Sequence, residues 1–272
     1  MTIGGVPEHF NLPIKQAIEN SAKFSWLDCP GGSGEMRKLL QEKKIDAAIM
    51  LTEAAVSAFQ QGDAIALVDE YVSSPLRWGI FTHPDNVVAN VLDSHQALLI
   101  SRLGSGSHLI PFAKAHFEEK NYSPKLEVIQ NLDGALAYFG EHKKGLFYWE
   151  EVTTSPYVEK GLLKQVGVYP TPWPCFVMVC NENTDTSTLK NLLAEAKNQS
   201  ENLKANPEKS ISEIAELYKL NPQKTKQWFG SVLWQKAVLS PEILAGIVDV
   251  LFDQNIISEK KSLTDFVKEW KN

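Results

Sequence analysis

Residues 45–72, which read IDAAIMLTEAAVSAFQQGDAIALVDEYV, decide the fold of this chain. Residues 45–50 are a short apolar run of the kind that forms a buried strand, and the pattern that follows predicts a helix over residues 53–61, ending at Gly62. A second β-rich run covers Ile65–Val72. A strand, a helix and a further strand in this order form a βαβ unit, which predicts an α/β fold with a mostly parallel sheet.

The same alternation surrounds this unit and restarts further along the chain. Strands are predicted over residues 1–6, 23–29, 65–72, 77–83, 97–101, 126–130, 145–149 and 175–180. Helices are predicted over residues 12–19, 108–119 and 132–141. A further helix is predicted to begin after Ser33, its N-cap, and another to end at Gly161. After Asn181 only helices are predicted, over 186–205, 210–218, 222–232, 241–253 and 263–271. We therefore expect two α/β lobes: residues 1–83, with the helical tail 181–272 packed on them, and residues 84–180.

Composition narrows the class of protein. The chain has 272 residues, of which 43% are hydrophobic and 22% charged, as in an ordinary globular protein of about two domains. A net charge of −6 does not favour nucleic acid as a partner, and no run is apolar enough to span a membrane. Three cysteines are too few for a disulfide framework, and the first residues show no signal peptide. We expect a cytoplasmic protein, or an exported one only if a signal has been removed.

Polar residues follow the predicted strands, where the carboxyl ends of a parallel sheet bind ligands. The sharpest element is Gly104-Ser105-Gly106-Ser107-His108, whose glycines and following helix suit a carboxylate, sulfonate or phosphate; a plain strand-to-helix turn remains the alternative. Leu109 stands where a dinucleotide fingerprint needs its third glycine, and the lysine of a P-loop is missing. The pattern shows no serine-hydrolase elbow and no spacing typical of zinc ligands, so no metal is expected.

Other strand-end residues carry alternatives of their own. Glu8, Glu53 and Glu150 could bind an amino or amidine group or act as acid and base, or each could cap a helix. Trp78, Trp149 and Trp173 could stack on a flat ligand, whereas Trp228, Trp234 and Trp270 are typical of a helix core. Arg77 and Arg102 could pair with a ligand carboxylate or form salt bridges, and His9 and His108 are candidates for ligand contact.

Taken together, these segments resemble a known family. The segments that carry the resemblance are Gly4–Pro13, Asp28–Gly34, Arg102–His108, Asn131–Gly134 and Thr171–Phe176. They are similar to the class II periplasmic-binding-protein fold, in its nitrate/sulfonate/taurine and thiamine-pyrimidine branch of ABC-type substrate-binding proteins, and within it to signal-less intracellular members. The pyrimidine-synthase relatives carry clustered cysteines for iron, whereas Cys29 is isolated here and Cys175 and Cys180 stand in a strand, which argues against that activity.

The resemblance implies a ligand cleft between two lobes that close about a hinge. It implies ligand contacts from these positions: Pro7, Glu8, His9, Phe10, Asn11, Gly31, Gly32, Ser33, Thr52, Glu53, Ser74, Ser105, Gly106, Ser107, His108, Asp133, Trp149, Glu150 and Trp173. No cofactor is implied, and a transporter would be a partner only of an exported protein.

Three functions follow as hypotheses. The leading one is a non-catalytic protein that binds a small polar metabolite, anionic or heteroaromatic. The second is a cytosolic enzyme on the same fold, acting on an aromatic-pathway or thiamine-pathway metabolite, with Glu8, Glu53, Glu150 or His108 as acid and base. The third is a protein-interaction module that uses the helical tail, which an exposed apolar stripe along Pro241–Asp253 would favour.

Overall fold

The structure is a computed structural model that describes residues 1–236 and 239–267. The strands are β1 (Thr2–Gly5), β2 (Ser25–Asp28), β3 (Ala47–Leu51), β4 (Ile65–Val72), β5 (Arg77–Thr82), β6 (Leu98–Ile100), β7 (Leu126–Val128), β8 (Leu146–Glu150), β9 (Lys164–Pro170) and β10 (Phe176–Asn181). The helices are α1 (Leu12–Glu19), α2 (Ser33–Gln41), α3 (Thr52–Gln60), α4 (Gly106–Phe117), α5 (Leu132–Glu141), α6 (Glu151–Glu159), α7 (Thr186–Ala205), α8 (Pro207–Leu217), α9 (Pro222–Ser231) and α10 (Pro241–Asp253). The predicted α/β class is confirmed.

The first of two units comprises residues 1–75 and the chain from Trp173 onward. Its sheet has the strand order β2-β1-β3-β10-β4. β1 runs parallel to β2 and β3, while β10 is antiparallel to both β3 and β4. Strands β1 to β4 therefore share one direction, and their carboxyl ends lie at the edge of the sheet where β10 begins.

The second unit comprises residues 76–172 and has its own sheet, ordered β7-β6-β8-β5-β9. Here β6, β7 and β8 are parallel, and β5 runs antiparallel to β8 and β9. Side chains of Phe81, Leu99, Phe139 and Phe147 form a buried core under α5. As in the first unit, one antiparallel strand interrupts an otherwise parallel sheet.

The unit boundaries differ from the predicted ones. Residues 77–83 were expected in the first lobe and residues 175–180 in the second, but β5 pairs with β8 and β9, and β10 pairs with β3 and β4. The chain therefore passes between units after Pro75 and after Pro172, rather than after residues 83 and 180. Each of these strands lies antiparallel inside the sheet of the unit that it joins, a pairing that local sequence patterns do not specify.

The helical tail packs on the first unit, as predicted. Helix α7 lies against α1, and α10 lies against α3 with Leu244, Ile247 and Leu251 buried. Burial of this apolar face removes the exposed stripe that an interaction module would need. The predicted helix over 263–271 is not formed in its described part, since residues 263–266 form a turn and residues 268–272, which include Trp270, lie outside the described residues. Within the described ranges, no helix has the length and apolar character needed to cross a membrane.

Candidate functional site

In the first unit, the predicted site residues gather at the carboxyl edge of the sheet. The chain leaves β1 into residues 6–11, β2 into residues 29–33, β3 directly into α3, and β4 into Ser73 and Ser74. Trp173 and Pro174 enter the same edge ahead of β10, because Phe176 pairs with both Leu51 and Val72. Parallel topology thus brings together segments that are far apart in sequence.

Glu53 occupies the first turn of α3 and is 2% exposed. Its Oε2 accepts a hydrogen bond of 2.9 Å from Nε1 of Trp173, and its Oε1 has no hydrogen-bond partner among the described residues. Burial raises the pKa of Glu53 to about 7. The expected alternative, a helix cap, is not seen, since no side chain caps α3. Glu53 and Trp173 are therefore two predicted site residues that the structure places in direct contact.

Thr52 and Ser33 fix the backbone around Glu53. Thr52 Oγ1 donates a hydrogen bond of 2.6 Å to the carbonyl of Pro174, which ties the end of β3 to the approach of β10. Ser33 Oγ accepts a hydrogen bond of 3.3 Å from the backbone N–H of Leu51. The prediction of Ser33 as N-cap is therefore wrong: Gly32, with a φ of 67°, occupies the cap position, and Ser33 begins α2. Gly31 and Gly32 lie in the turn that connects β2 to the start of α2.

His9, Phe10 and Asn11 form a buried 3-10 turn after β1. The carbonyl of Phe10 accepts hydrogen bonds from the Tyr71 hydroxyl at 2.9 Å and from Trp234 Nε1 at 3.2 Å. Both imidazole nitrogens of His9 and Oδ1 of Asn11 have no hydrogen-bond partner within the described ranges. Burial lowers the pKa of His9 to about 3, which keeps its ring neutral.

Three other predicted residues of this edge have different surroundings. Ser74 Oγ accepts a hydrogen bond of 3.1 Å from the backbone N–H of Leu233, so it anchors the tail. Pro7 is exposed and Glu8 is half-buried on the loop that follows β1. The structure therefore gives Ser74 a structural contact and leaves Pro7 and Glu8 at the rim of the edge.

In the second unit, a serine cluster closes the turn between β6 and α4. Ser107 Oγ accepts a hydrogen bond of 2.8 Å from the backbone N–H of Ser101 and lies 3.0 Å from Ser105 Oγ. His108 Nδ1 accepts a hydrogen bond of 3.0 Å from the N–H of Gly104, whose φ is 74°. Ser105, Gly106, Ser107 and His108 are all buried. These hydrogen bonds link the loop to the end of β6 and to the start of α4, whose N-terminus carries the positive end of the helix dipole.

Glu150 caps helix α6 and is buried. Its two carboxylate oxygens accept hydrogen bonds from the N–H groups of Val152 at 3.0 Å and Thr153 at 2.7 Å. Burial nevertheless raises the pKa of Glu150 to about 7. For this residue the helix-cap interpretation is confirmed. The neighbouring Glu151 forms a salt bridge of 2.8 Å with Arg77. Of the two alternatives predicted for Arg77, the structure therefore shows the salt bridge.

Asp133 and Trp149, which were both predicted to contact a ligand, have different surroundings in the structure. Asp133 is exposed in the first turn of α5, where Asn131 supplies the cap by accepting from Gly134 N–H at 2.9 Å. Trp149 stacks on Phe147 with ring centroids 5.1 Å apart and packs against the core of the second unit. Trp149 therefore contributes to the core of the second unit from its position near the end of β8.

Several residues at the first edge escaped the sequence analysis. Trp26 on β2 donates a hydrogen bond of 2.6 Å to Asp28, whose carboxylate also pairs with Lys15 at 2.9 Å. Trp228 was predicted as plain core, yet its indole lies against His9 and its Nε1 has no hydrogen-bond partner in the described chain. Trp26 could have been identified from its position in a predicted strand that ends at this edge. No sequence feature distinguished Trp228 from an ordinary core residue of a helix. In residues 1–236 and 239–267, no group of histidine, cysteine, aspartate and glutamate side chains is placed to hold a metal ion.

Two units, each with parallel strands, one antiparallel strand and polar strand-end segments, define the class of protein. The chain has the class II periplasmic-binding-protein fold. More particularly, residues 78–169 match the family model described as Ca3427-like PBP, a periplasmic-binding-protein family. The predicted resemblance is thereby confirmed at the level of the class, while membership of a signal-less subgroup stays a prediction.

Solved structures support the same assignment. The CA3427 gene product of Candida albicans, which defines a family with the generic periplasmic-binding-protein fold, is 24% identical, with a TM-score of 0.86 over 98% of this chain and 95% of that chain. The aliphatic sulphonate binding protein SsuA of Escherichia coli is 13% identical, with a TM-score of 0.76 over 98% and 96%. The alkanesulfonate-binding protein SsuA of Xanthomonas axonopodis pv. citri, bound to MOPS, is 13% identical, with a TM-score of 0.80 over 95% and 94%. At these identities the likeness establishes the fold. Among curated proteins, none matches this sequence significantly.

Proposed function

We propose that the protein binds a small polar metabolite through the strand-end residues described above, in the manner of an ABC-type substrate-binding protein. The observation that carries the proposal is the gathering of polar side chains at the carboxyl edge of each sheet, including the buried Glu53 with one unpartnered oxygen. A buried polar atom without a partner costs free energy, so its retention favours a role with a ligand. Hinge closure on the ligand stays a prediction.

The chemistry of the second unit supports an anionic or heteroaromatic ligand group. Backbone at Gly104–Gly106 and the start of α4 form the surroundings in which sulfonates, carboxylates and phosphates are bound in proteins. The two SsuA proteins bind sulfonates by name, and this motivates sulfonates as one class to test. Thiamine precursors are the other class that the sequence resemblance implies.

A thermal-shift screen against thiamine precursors, sulfonates, carboxylates and nucleotides tests the proposal, together with native mass spectrometry of protein purified without added ligand. We expect a copurified small molecule or a rise in Tm with one class. Ser105→Ala and Glu53→Gln should reduce the shift, whereas Lys209→Ala, an exposed residue on α8, should leave it unchanged. No copurified molecule and no shift with any class would contradict the proposal.

A second candidate function is an enzyme on the same fold. The observation that favours it is the raised pKa of Glu53, since a buried carboxyl that titrates near neutrality can exchange protons with a bound substrate. Incubation of the copurified compound with fresh protein, followed by mass spectrometry, tests for turnover. Turnover that survives Glu53→Gln and His108→Ala would remove both residues from acid–base roles.

A further inference from the structure

Glu53 has one carboxylate oxygen that the protein itself does not use. Trp173 Nε1 holds Oε2 at 2.9 Å, and Oε1 finds no donor among the described residues although the side chain is 2% exposed. Trp173 enters the edge ahead of β10, and Glu53 follows β3, so the hydrogen bond fixes the carboxyl group at the strand-end edge of the first sheet. Oε1 of Glu53 therefore has a fixed orientation and lacks a hydrogen-bond donor among the described residues.

The charge of this edge is one-sided. The segments that leave the strands, residues 6–11, 28–35, 51–53, 73–75 and 173–175, contain four carboxylates and no lysine or arginine. Asp28 is paired with Lys15 of α1, and Glu35 accepts a hydrogen bond of 2.7 Å from Gly31 N–H. The one histidine of these segments, His9, is kept neutral by burial. These segments therefore offer a ligand carboxylate oxygens and no lysine or arginine of their own, which favours hydrogen-bond donors and cations over anions.

We propose that Oε1 of Glu53 receives a nitrogen-bound hydrogen of the ligand, from an amino, amidino or protonated heteroaromatic group, and so selects for nitrogen at this position. This rests on the proposed function and names the chemistry of one end of the ligand. A charge-assisted N–H···O bond to a buried carboxylate is stronger than a neutral one and compensates the desolvation of both groups. Burial raises the pKa of Glu53 to about 7, so the carboxyl group stays largely neutral below that pH until a cationic nitrogen arrives to stabilise its ionised form.

The opposite polarity fits the edge less well. A neutral Glu53 could donate its own O–H to a sulfonate or carboxylate, but the segments of this edge contain no lysine or arginine to pair with such an anion. Anion recognition is better supplied by the turn before α4 in the second unit.

Matched probe pairs that differ in the nitrogen test the proposal. Thermal shift and isothermal titration calorimetry are run with taurine and isethionate, alanine and lactate, benzylamine and benzyl alcohol, and 4-aminopyrimidine and 4-methoxypyrimidine. The proteins are the wild type, Glu53→Gln, Trp173→Phe and, as a control at the same edge, Glu35→Gln. Glutamine keeps the size of the side chain and can still donate to an acceptor ligand, but it cannot carry the negative charge.

We expect at least one nitrogen probe to bind tenfold or more tightly than its oxygen partner. Glu53→Gln should remove this preference, Trp173→Phe should weaken it, and Glu35→Gln should preserve it. Binding without a nitrogen preference in any of the pairs, or a preference that Glu53→Gln leaves intact in a variant with normal thermal unfolding, would overturn the inference alone. If no probe in the panel shifts the Tm, the proposed function falls and the inference falls with it.

Discussion

The imidazole of His9 lies edge-on against the indole of Trp228, with the two ring centroids 4.2 Å apart. His9 follows β1, and Trp228 lies on α9, so the contact joins the sheet of the first unit to the helical tail. Both imidazole nitrogens and Nε1 of Trp228 are buried without a hydrogen-bond partner in the described part of the chain. Packing therefore holds a titratable ring in surroundings that do not stabilise its charged form.

Acid should destabilise the protein through His9. Burial lowers the pKa of His9 to about 3, whereas the imidazole of the unfolded chain titrates near 6.5. Between these values the unfolded state takes up a proton that the folded state does not, so the free energy of unfolding falls as the pH falls. From pH 6.5 to about pH 4 this loss is roughly 3 kcal/mol. Urea unfolding at both pH values, with the wild type and His9→Phe, measures it. Equal pH dependence in the two proteins would contradict this account.

Rising pH should destabilise the protein through Glu53. Burial raises the pKa of Glu53 to about 7 from 4.5, so the folded state keeps a proton that the unfolded state releases. Stability from this group is complete below pH 4.5 and is lost as the pH rises to 7, by about 3 kcal/mol in total. Glu53→Gln should be more stable than the wild type at pH 8 and similar to it at pH 4.5. Glu208→Gln, at an exposed position of α8, serves as control and should show no such crossover.

Ser107→Ala should destabilise the second unit without any ligand present. The substitution leaves the buried N–H of Ser101 without its acceptor, now 2.8 Å away, and a buried donor without a partner costs about 1–3 kcal/mol. Chemical denaturation of both variants gives the difference, with Ser123→Ala at an exposed position as the control. A loss no larger than that of the control would mean that another acceptor reaches Ser101.

Two glycines of α5 should respond in opposite directions to alanine. At Gly134 a Cβ would lie 1.8 Å from the carbonyl oxygen of Ile129, so Gly134→Ala must displace the turn between β7 and α5. At Gly140, in the same helix, nothing lies within 4 Å of the added Cβ. We expect Gly140→Ala to stabilise the protein by about 0.5–1 kcal/mol and Gly134→Ala to destabilise it by more than that. Thermal unfolding of the pair checks the contrast, and a tolerated Gly134→Ala would refute the turn geometry.

The sequence was informative where structure is local. Helices α1, α5, α7 and α10 and strand β4 begin and end at the predicted residues, because proline starts, caps and apolar periodicity mark them within a few residues. The strand-end rule also predicted that Ser33 and Glu53 follow strands of the same sheet, whereas Trp173 was expected in the return crossing of the second lobe. These features depend on the order of elements, which the chain itself displays.

What the sequence did not reveal depends on contacts across the chain. Strand β9 was not predicted, because it is a half-buried edge strand and its residues, KQVGVYP, include Gly167. The alternation of Val166 and Val168 was the one sequence feature that indicated a strand. Strands β5 and β10 each belong to the lobe opposite to the expected one. Their hydrophobic patterns predict that they are strands but do not determine which strands they pair with. The orphaned atoms of His9 and Trp228 arise from a meeting of residues more than two hundred positions apart.

The position of β10 has a consequence for biosynthesis. β10 lies between β3 and β4, and among the described residues β4 has no other strand partner in its sheet. As the chain leaves the ribosome, the first sheet remains incomplete until residue 181 has emerged, with β3 as an open edge and β4 unpaired. Residues 76–172 can meanwhile assemble their own sheet. The second unit is therefore expected to fold first, and the nascent amino-terminal segment is the part that most needs protection by a chaperone.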